Sequence, residues 1–197
     1  MPAPGHAQSA PEWGLSLGLN VTTVQAPGRL GVRQMAAGGV VMTWPLWGPA
    51  ALQSKLLLNQ KGTVVKGGDG GIRYGAGYLD LPVLLRLDGP SLGGVTPYVV
   101  GGGFGGVKVF ERQRAGGELR FTLDSETSFF RRTNAGLTAG AGGTLPIGGD
   151  RRLDLSLHYA HGLVDVARSV DEQPYDEAPF PTTAQTRTWS VRLRFGL

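Results

Sequence analysis

Four stretches of the chain alternate strictly between apolar residues and polar or small ones. In residues 13–24 (WGLSLGLNVTTV), Trp13, Leu15, Leu17, Leu19 and Val21 share one face, opposite Gly14, Ser16, Gly18, Asn20 and Thr22. A pleated strand sends successive side chains to opposite sides, so a period of two predicts a strand with one greasy and one small polar face. Residues 79–87 repeat the pattern, with Leu79, Leu81, Val83, Leu85 and Leu87 opposite Asp80, Pro82, Leu84 and Arg86. Residues 151–159 set Leu153, Leu155, Leu157 and Tyr159 against Asp154, Ser156 and His158. At the C-terminus Trp189, Val191, Leu193, Phe195 and Leu197 alternate with Thr188, Ser190, Arg192, Arg194 and Gly196. Less regular strands are predicted near 29–43, 51–65, 96–110 and 128–145, which brings the total to about eight.

Two of these weaker strands carry glycine at successive same-face positions: Gly101, Gly103 and Gly105, then Gly136, Gly140 and Gly142. In a narrow closed sheet such positions are expected to leave room for large side chains pointing into the interior and to relax the curvature. Pro82 cannot donate to a strand ladder, so a bulge or local break is expected there. Connections differ in length. Compact Pro- and Gly-rich links fall near 44–50, 88–95 and 146–150, and longer polar ones near 66–72, 111–127 and 167–185, with a short link at 25–28. Short turns at one rim and longer loops at the other are the habit of outer-membrane barrels. Trp44 and Trp47 at a short turn, with Trp13 and Trp189 near strand starts, are expected to form an aromatic girdle at one membrane interface.

The polar face decides which side meets water. A soluble barrel would need that face to be about a quarter to a third charged. Here it is mostly Gly, Ser, Thr and Asn with scattered charges, and charged residues are only 17% of the chain. A cramped interior fits better, with Asp80 and Asp154 pairing among Lys55, Arg86, Arg192 and Arg194, and His158 on the same face, because buried charges need partners. The predicted fold is therefore all-β: a closed antiparallel up-and-down transmembrane β-barrel of about eight strands. Residues 1–12 form a flexible N-terminal segment and residues 13–197 the barrel domain. The 33 glycines have no collagen period, and no apolar run approaches the ~18 residues of a spanning helix. The net charge of +4 is not clustered into a basic stripe, so no nucleic-acid partner is expected. The absence of cysteine excludes a disulfide scaffold and a Cys-zinc site. Residues 1–12 (MPAPGHAQSAPE) lack the charged and apolar regions of a signal peptide, while Ala7-Gln8-Ser9-Ala10 resembles the junction just after one. The expectation is a removed leader and a place in the bacterial outer membrane.

Leu56-Leu57-Leu58-Asn59-Gln60-Lys61-Gly62, followed by Tyr78-Leu79-Asp80-Leu81-Pro82-Val83-Leu84-Leu85-Arg86, resembles two landmarks of the porin-family outer-membrane β-barrel proteins, the small OmpA/PorT-like barrels. Pro97-Tyr98-Val99-Val100-Gly101-Gly102-Gly103, Gly136-Leu137-Thr138-Ala139-Gly140-Ala141-Gly142 and Tyr159-Ala160-His161-Gly162-Leu163-Val164-Asp165 look like its later signposts, in order. The likeness runs from about Trp13 to Leu197. It implies an eight-stranded barrel in the outer membrane of a Gram-negative-type bacterium, often without an assigned activity. Such barrels usually end in an aromatic residue read by the assembly machinery; this chain ends Phe195-Gly196-Leu197, which keeps the register and a hydrophobic terminus.

Chemistry-bearing candidates are few. Gly101-x-Gly103-x-x-Gly106 matches the dinucleotide fingerprint, but the residues after it, Val107-Lys108-Val109-Phe110, read as strand where that motif needs a helix. His158 and His161 would point to opposite sides of a strand, so no shared metal is expected. His158 near Asp154 and Ser156 invites a hydrolase triad of the kind found in membrane-embedded lipid deacylases; polar filling of the interior is the simpler reading, since no activated-serine motif accompanies it. Asp171, Glu172, Asp176 and Glu177 lie in a proline-bearing acidic loop without calcium-loop spacing. No cofactor, metal or catalysis is expected. The function expected is structural or surface interaction, with outer-membrane lipids and lipopolysaccharide as partners, the barrel-assembly machinery engaging the C-terminal strand, and a monomeric state. The alternatives are a narrow small-solute channel, an outer-membrane lipid hydrolase, and a soluble lipocalin-like barrel with a ligand in its cavity.

Overall fold

The computed structural model describes residues 10–25, 32–65, 72–115, 118–122, 131–149, 151–164 and 185–196. They form nine antiparallel strands: β1 Glu12–Gln25, β2 Val32–Pro45, β3 Ala50–Val65, β4 Ile72–Asp88, β5 Thr96–Ala115, β6 Glu118–Thr122, β7 Thr133–Pro146, β8 Arg152–Gly162 and β9 Gln185–Gly196. With β6 set aside, each strand pairs with its neighbours along the chain, β5 pairing with β7, and β1 pairs with β9, so eight strands close into an up-and-down barrel. The ninth, β6, stands outside the ring and pairs only with the upper end of β5.

The register fixes the size of the barrel. Following partners once around the wall, Tyr78 leads through Asn59, Ala37, Gly18, Arg192, Ser156, Gly142 and Tyr98 to Asp88, ten positions along β4 from the start. Eight strands tilted by such a stagger enclose an interior just wide enough for side chains to fill.

The alternation read from sequence decides which face is in. On β1, Leu17 and Leu19 are 68% and 69% exposed, whereas Ser16 and Asn20 are 3% and 1% exposed. The same inversion holds on β4, where Leu79, Leu81, Val83, Leu85 and Leu87 point outward, and on β9, where Trp189, Val191 and Leu193 do. An apolar girdle around the whole molecule far exceeds the few hundred Å² that soluble proteins leave to water, and hydrocarbon is the solvent that satisfies it.

Short turns join β2–β3, β4–β5 and β7–β8 at the rim where both ends of the barrel, Glu12 and Gly196, also lie. At the tip of the β4–β5 turn, Leu92 and Val95 exchange backbone hydrogen bonds of 2.8 and 3.1 Å around Gly93 and Gly94. Both glycines have positive φ, 59° and 86°, the backbone that a two-residue primed turn demands.

Several expectations need correction. Strand β4 begins at Ile72, seven residues before Leu79, and β5 runs to Ala115, so part of the segment expected as a loop over 111–127 is a β5–β6 hairpin. Gly101, Gly103 and Gly105 point outward, because β5 turns Tyr98, Val100 and Phe104 to the interior and Val99 and Val107 to the outside. Gly136, Gly140 and Gly142 do face inward. A Cβ on Gly140 would stand 2.8 Å from Nδ1 of His158, one on Gly142 2.8 Å from the Tyr98 ring, and one on Gly136 2.8 Å from the Phe104 ring.

Pro82 sits on the inward face with no register shift. The β3–β4 ladder instead omits two rungs beside it, between Ser54↔Val83 and Leu57↔Asp80, so the break is local and no bulge forms. The one bulge in that wall lies across the other ladder of β4: Gly77 pairs with Phe110 and Tyr78 with Lys108, leaving Val109 unopposed. The loops expected at 66–72 and 167–185, apart from Ile72 of β4 and Gln185 of β9, lie outside the described residues together with Asp171, Glu172, Asp176 and Glu177, as do residues 1–9 and Leu197.

Candidate functional site in the barrel lumen

The inward faces bring a dense set of polar side chains together, and most of the residues singled out in sequence stand on them. Asp154 of β8 is the centre of the first cluster. Its Oδ2 accepts from Nη1 of Arg86 on β4 at 3.1 Å and from Nη1 of Arg194 on β9 at 3.2 Å. The Thr144 hydroxyl on β7 donates to its Oδ1 at 2.6 Å and accepts from Nη2 of Arg86 at 2.7 Å. Nε of Arg86 also donates to Asp88 at 2.8 Å, and its guanidinium lies 3.8 Å above the Tyr98 ring. Two arginines held by one carboxylate with every strong acceptor used is the arrangement in which buried charge is tolerable.

Asp80 of β4 organises a second cluster. Nζ of Lys61 lies 3.1 Å from its Oδ2, and Nδ2 of Asn59 donates to the same oxygen at 2.7 Å. Asn20 of β1 in turn donates to Oδ1 of Asn59 at 3.2 Å. The Lys61 ammonium lies 5.2 Å from the Tyr78 ring centroid and 5.0 Å from that of Phe104. Oδ1 of Asp80, Oδ1 of Asn20 and Nε of Arg192 have no hydrogen-bond partner among the described residues. The lining of a small void of about 20 Å³ includes Asn20, Lys61, Asp80 and Arg192.

A third pair, Lys108 and Glu111 at 2.9 Å, shares a face only because of the bulge at Val109; in an unbroken strand, residues three apart face opposite ways. Neither residue, nor Lys61, stood out in the sequence. The alternation that would have flagged Lys61 fades in Asn59-Gln60-Lys61-Gly62, where both faces are polar.

Between the clusters the lumen is occupied by apolar side chains, among them Val41, Leu57, Leu84, Tyr98 and Val100, all buried. At the short-turn rim a cavity of about 390 Å³ opens and ends on Arg86, Thr144, Asp154 and Arg194. The interior is therefore a wet cup closed by ion pairs at its floor, with packed side chains above.

His158 is buried, its Nε2 lying 3.0 Å from the Ser156 hydroxyl. Nδ1 of His158 has no partner, and the Asp154 carboxylate is spent on Arg86, Arg194 and Thr144. A serine–histidine contact is present, but no acid orients the imidazole as a triad requires. His161 lies on the other face of β8, away from His158.

The tryptophans divide between the two rims. Trp13, Trp44 and Trp47 gather at the short-turn rim. Trp189 does not join them. It pairs in register with Val21, eight residues up β1 from Trp13, or about 26 Å along the strand. Its ring lies 4.9 Å from that of Tyr159, and the two form an aromatic pair toward the opposite rim. Nearness to a strand start, the signal used in sequence, does not say which rim a strand starts from.

The sequence profile of a family described as "Outer membrane protein beta-barrel domain" matches residues 6–168. Among solved structures, the outer membrane protein OprG from Pseudomonas aeruginosa superposes with a TM-score of 0.55 over 96% of this chain and 95% of its own, at 12% identity. Neisserial surface protein A superposes at 0.50 over 94% and 98%, at 10% identity. At such identities the likeness speaks for the fold alone. The comparison with curated proteins found no match.

Proposed function

This chain belongs to the outer membrane protein β-barrel domain family, and from that premise we propose that it serves as a non-catalytic barrel whose filled lumen is a scaffold and whose long-loop rim is the working surface. The observation that carries this reading is the way the lumen is spent. Asp154 binds strands β4, β7, β8 and β9 to one another, Asp80 ties β4 to β3, and apolar side chains occupy the space between. Charges that neutralise each other across a lumen stiffen the wall and leave little wet path.

In this proposal the short-turn rim faces the periplasm, as is general for such barrels, and the opposite rim faces outside. Lipopolysaccharide and other surface partners would be met there. The terminal strand, with its hydrophobic alternation, would be handed to the barrel-assembly machinery, and the barrel would work as a monomer. Planar-bilayer recording of the refolded chain tests the reading: a silent bilayer is expected. The cup of about 390 Å³ at one rim is the feature that favours the narrow-channel alternative, and steady unitary currents would establish it in place of the scaffold.

A further inference from the structure

Of the buried polar atoms without a hydrogen-bond partner among the described residues, three belong to residues that line one void: Oδ1 of Asp80 on β4, Oδ1 of Asn20 on β1 and Nε of Arg192 on β9. Asp80 and Asn20 are 2% and 1% exposed. Buried polar groups are almost always paired, so three unpaired ones around a single cavity require an explanation. Their chemical identities are forced. The Asp80 carboxylate can only accept, so Asn59 must approach it with Nδ2. Oδ1 of Asn59 then accepts from Nδ2 of Asn20, which leaves Asn20 with a spare acceptor. The arm of Arg192 is drawn alongside by a missing side chain: a Cβ on Gly18, two residues before Asn20, would stand 3.0 Å from its Cγ.

The void measures about 20 Å³, room for one water molecule and little more. Its lining sorts the possible occupants by charge. A metal ion is repelled by Arg192 and by Lys61, whose ammonium lies 3.1 Å from the other oxygen of Asp80. An anion is repelled by Asp80 itself. What fits is a neutral molecule of one heavy atom with two protons to donate and a lone pair to accept with.

We propose that a single water molecule is a fixed part of the lumen, donating to Oδ1 of Asp80 and to Oδ1 of Asn20 and accepting from Nε of Arg192. About three hydrogen bonds are the usual complement of a buried water. In the ring of eight, β4 and β9 lie four strands apart in either direction, on opposite walls. The direct bonds of Asp80 stay on β3. The water carries its charge across to the guanidinium of Arg192 as a water-mediated ion pair, and ties in β1 through Asn20. The inference rests on the reading of the lumen as filled, and names one molecule that does the filling.

The test is a crystal structure of the full chain, refolded in detergent, at a resolution that shows ordered water, with bromide and rubidium in place of chloride and sodium. One peak is expected at about 2.6–3.2 Å from each of the three atoms, without the anomalous signal of either ion. A peak that carries such a signal would put an ion where the water is proposed and overturn the assignment. A void without density, or Arg192 closed directly onto Asp80, would overturn it as well. Two variants of one shape read the same site in solution. Ala160 of β8 lines the void, and Ala160→Thr and Ala160→Val extend into it equally, but only threonine brings a hydroxyl to take over bonds of the displaced water. The threonine variant is expected to be the more stable by roughly fivefold in the unfolding equilibrium, the worth of one net hydrogen bond. Greater stability of the valine variant would mean a dry void and would overturn the proposal. Should neither variant fold, the wild-type crystal decides alone. Unitary currents across a bilayer would overturn the scaffold reading and leave this peak in place, so the two readings fail separately.

Discussion

The two buried aspartates of the lumen solve the same problem to different degrees. Asp154, near the short-turn rim, gathers two guanidiniums and a hydroxyl from three other strands, and both its oxygens are engaged. Asp80 holds a single ammonium and an amide, both from β3, and leaves one oxygen without a partner. The cations differ as much as the anions. Arginine remains charged under all ordinary conditions, so losing Asp154 strands the permanent charge of Arg194 and leaves that of Arg86 to Asp88 alone. Lysine can shed its proton, so losing Asp80 leaves a charge that the chain can discard. The first cluster is therefore a cross-brace between distant strands, and the second is a local tie with a way out.

Substitution separates the two. Asp154→Ala is expected to cost the most, about 3–5 kcal/mol, the range for removing one partner of a buried ion pair. Equilibrium urea unfolding in lipid vesicles measures it, and an effect no larger than that of Asp80→Ala would erase the distinction drawn above. Asp80→Ala is expected to cost about 2–3 kcal/mol near neutral pH. Raising the pH strips the proton from a lysine but not from an arginine, so it should narrow the gap between this variant and the wild type. The Asp154→Ala deficit should not narrow, because Arg86 and Arg194 do not titrate there. Thr144→Val removes one bond to Asp154 and one from Arg86 while keeping the shape, and a loss of about 1–2 kcal/mol is expected. Arg152→Ala breaks the exposed pair with Glu12, 3.0 Å at the rim, and should shift stability by less than about 0.5 kcal/mol. A large effect there would show that the rim, too, behaves as interior.

Much of this was legible in the chain because a barrel in lipid writes its fold in a period of two. Asp80, Arg86, Asp154, His158, Arg192 and Arg194 sit at polar positions of strictly alternating strands, and the structure turns all of them inward. Legibility fails where alternation fails. β5 is apolar or glycine on both faces, so Gly101, Gly103 and Gly105 gave no sign of pointing outward. Its upper end carries Val107 and Val109, then Leu119 and Phe121 after a Gly-Gly pair at 116–117, a hairpin signal hidden by the charged residues between. Lys108 and Glu111 could not be joined by parity alone, because the extra residue that joins them is visible only in the partner strand's register. Pairing partners within the lumen are a further step removed: which arginine finds Asp154 depends on tilt and stagger, and these belong to the closed ring rather than to any one strand.

The unopposed residue Val109 has an evolutionary consequence. It marks the height on β5 at which the reading frame of inside and outside shifts by one. Below that point every residue is committed to a side by the lipid, and an insertion or deletion would turn a whole strand inside out. Above it β5 continues to pair with β4 as far as Arg114, and β6 alone stands apart from the ring, held only by β5. Length can be gained or lost in β6 without disturbing the ladders of the barrel wall. The wall is thus a fixed frame and β6 an appendage hung on it, so new surface chemistry can be tried on β6 while the frame keeps its register.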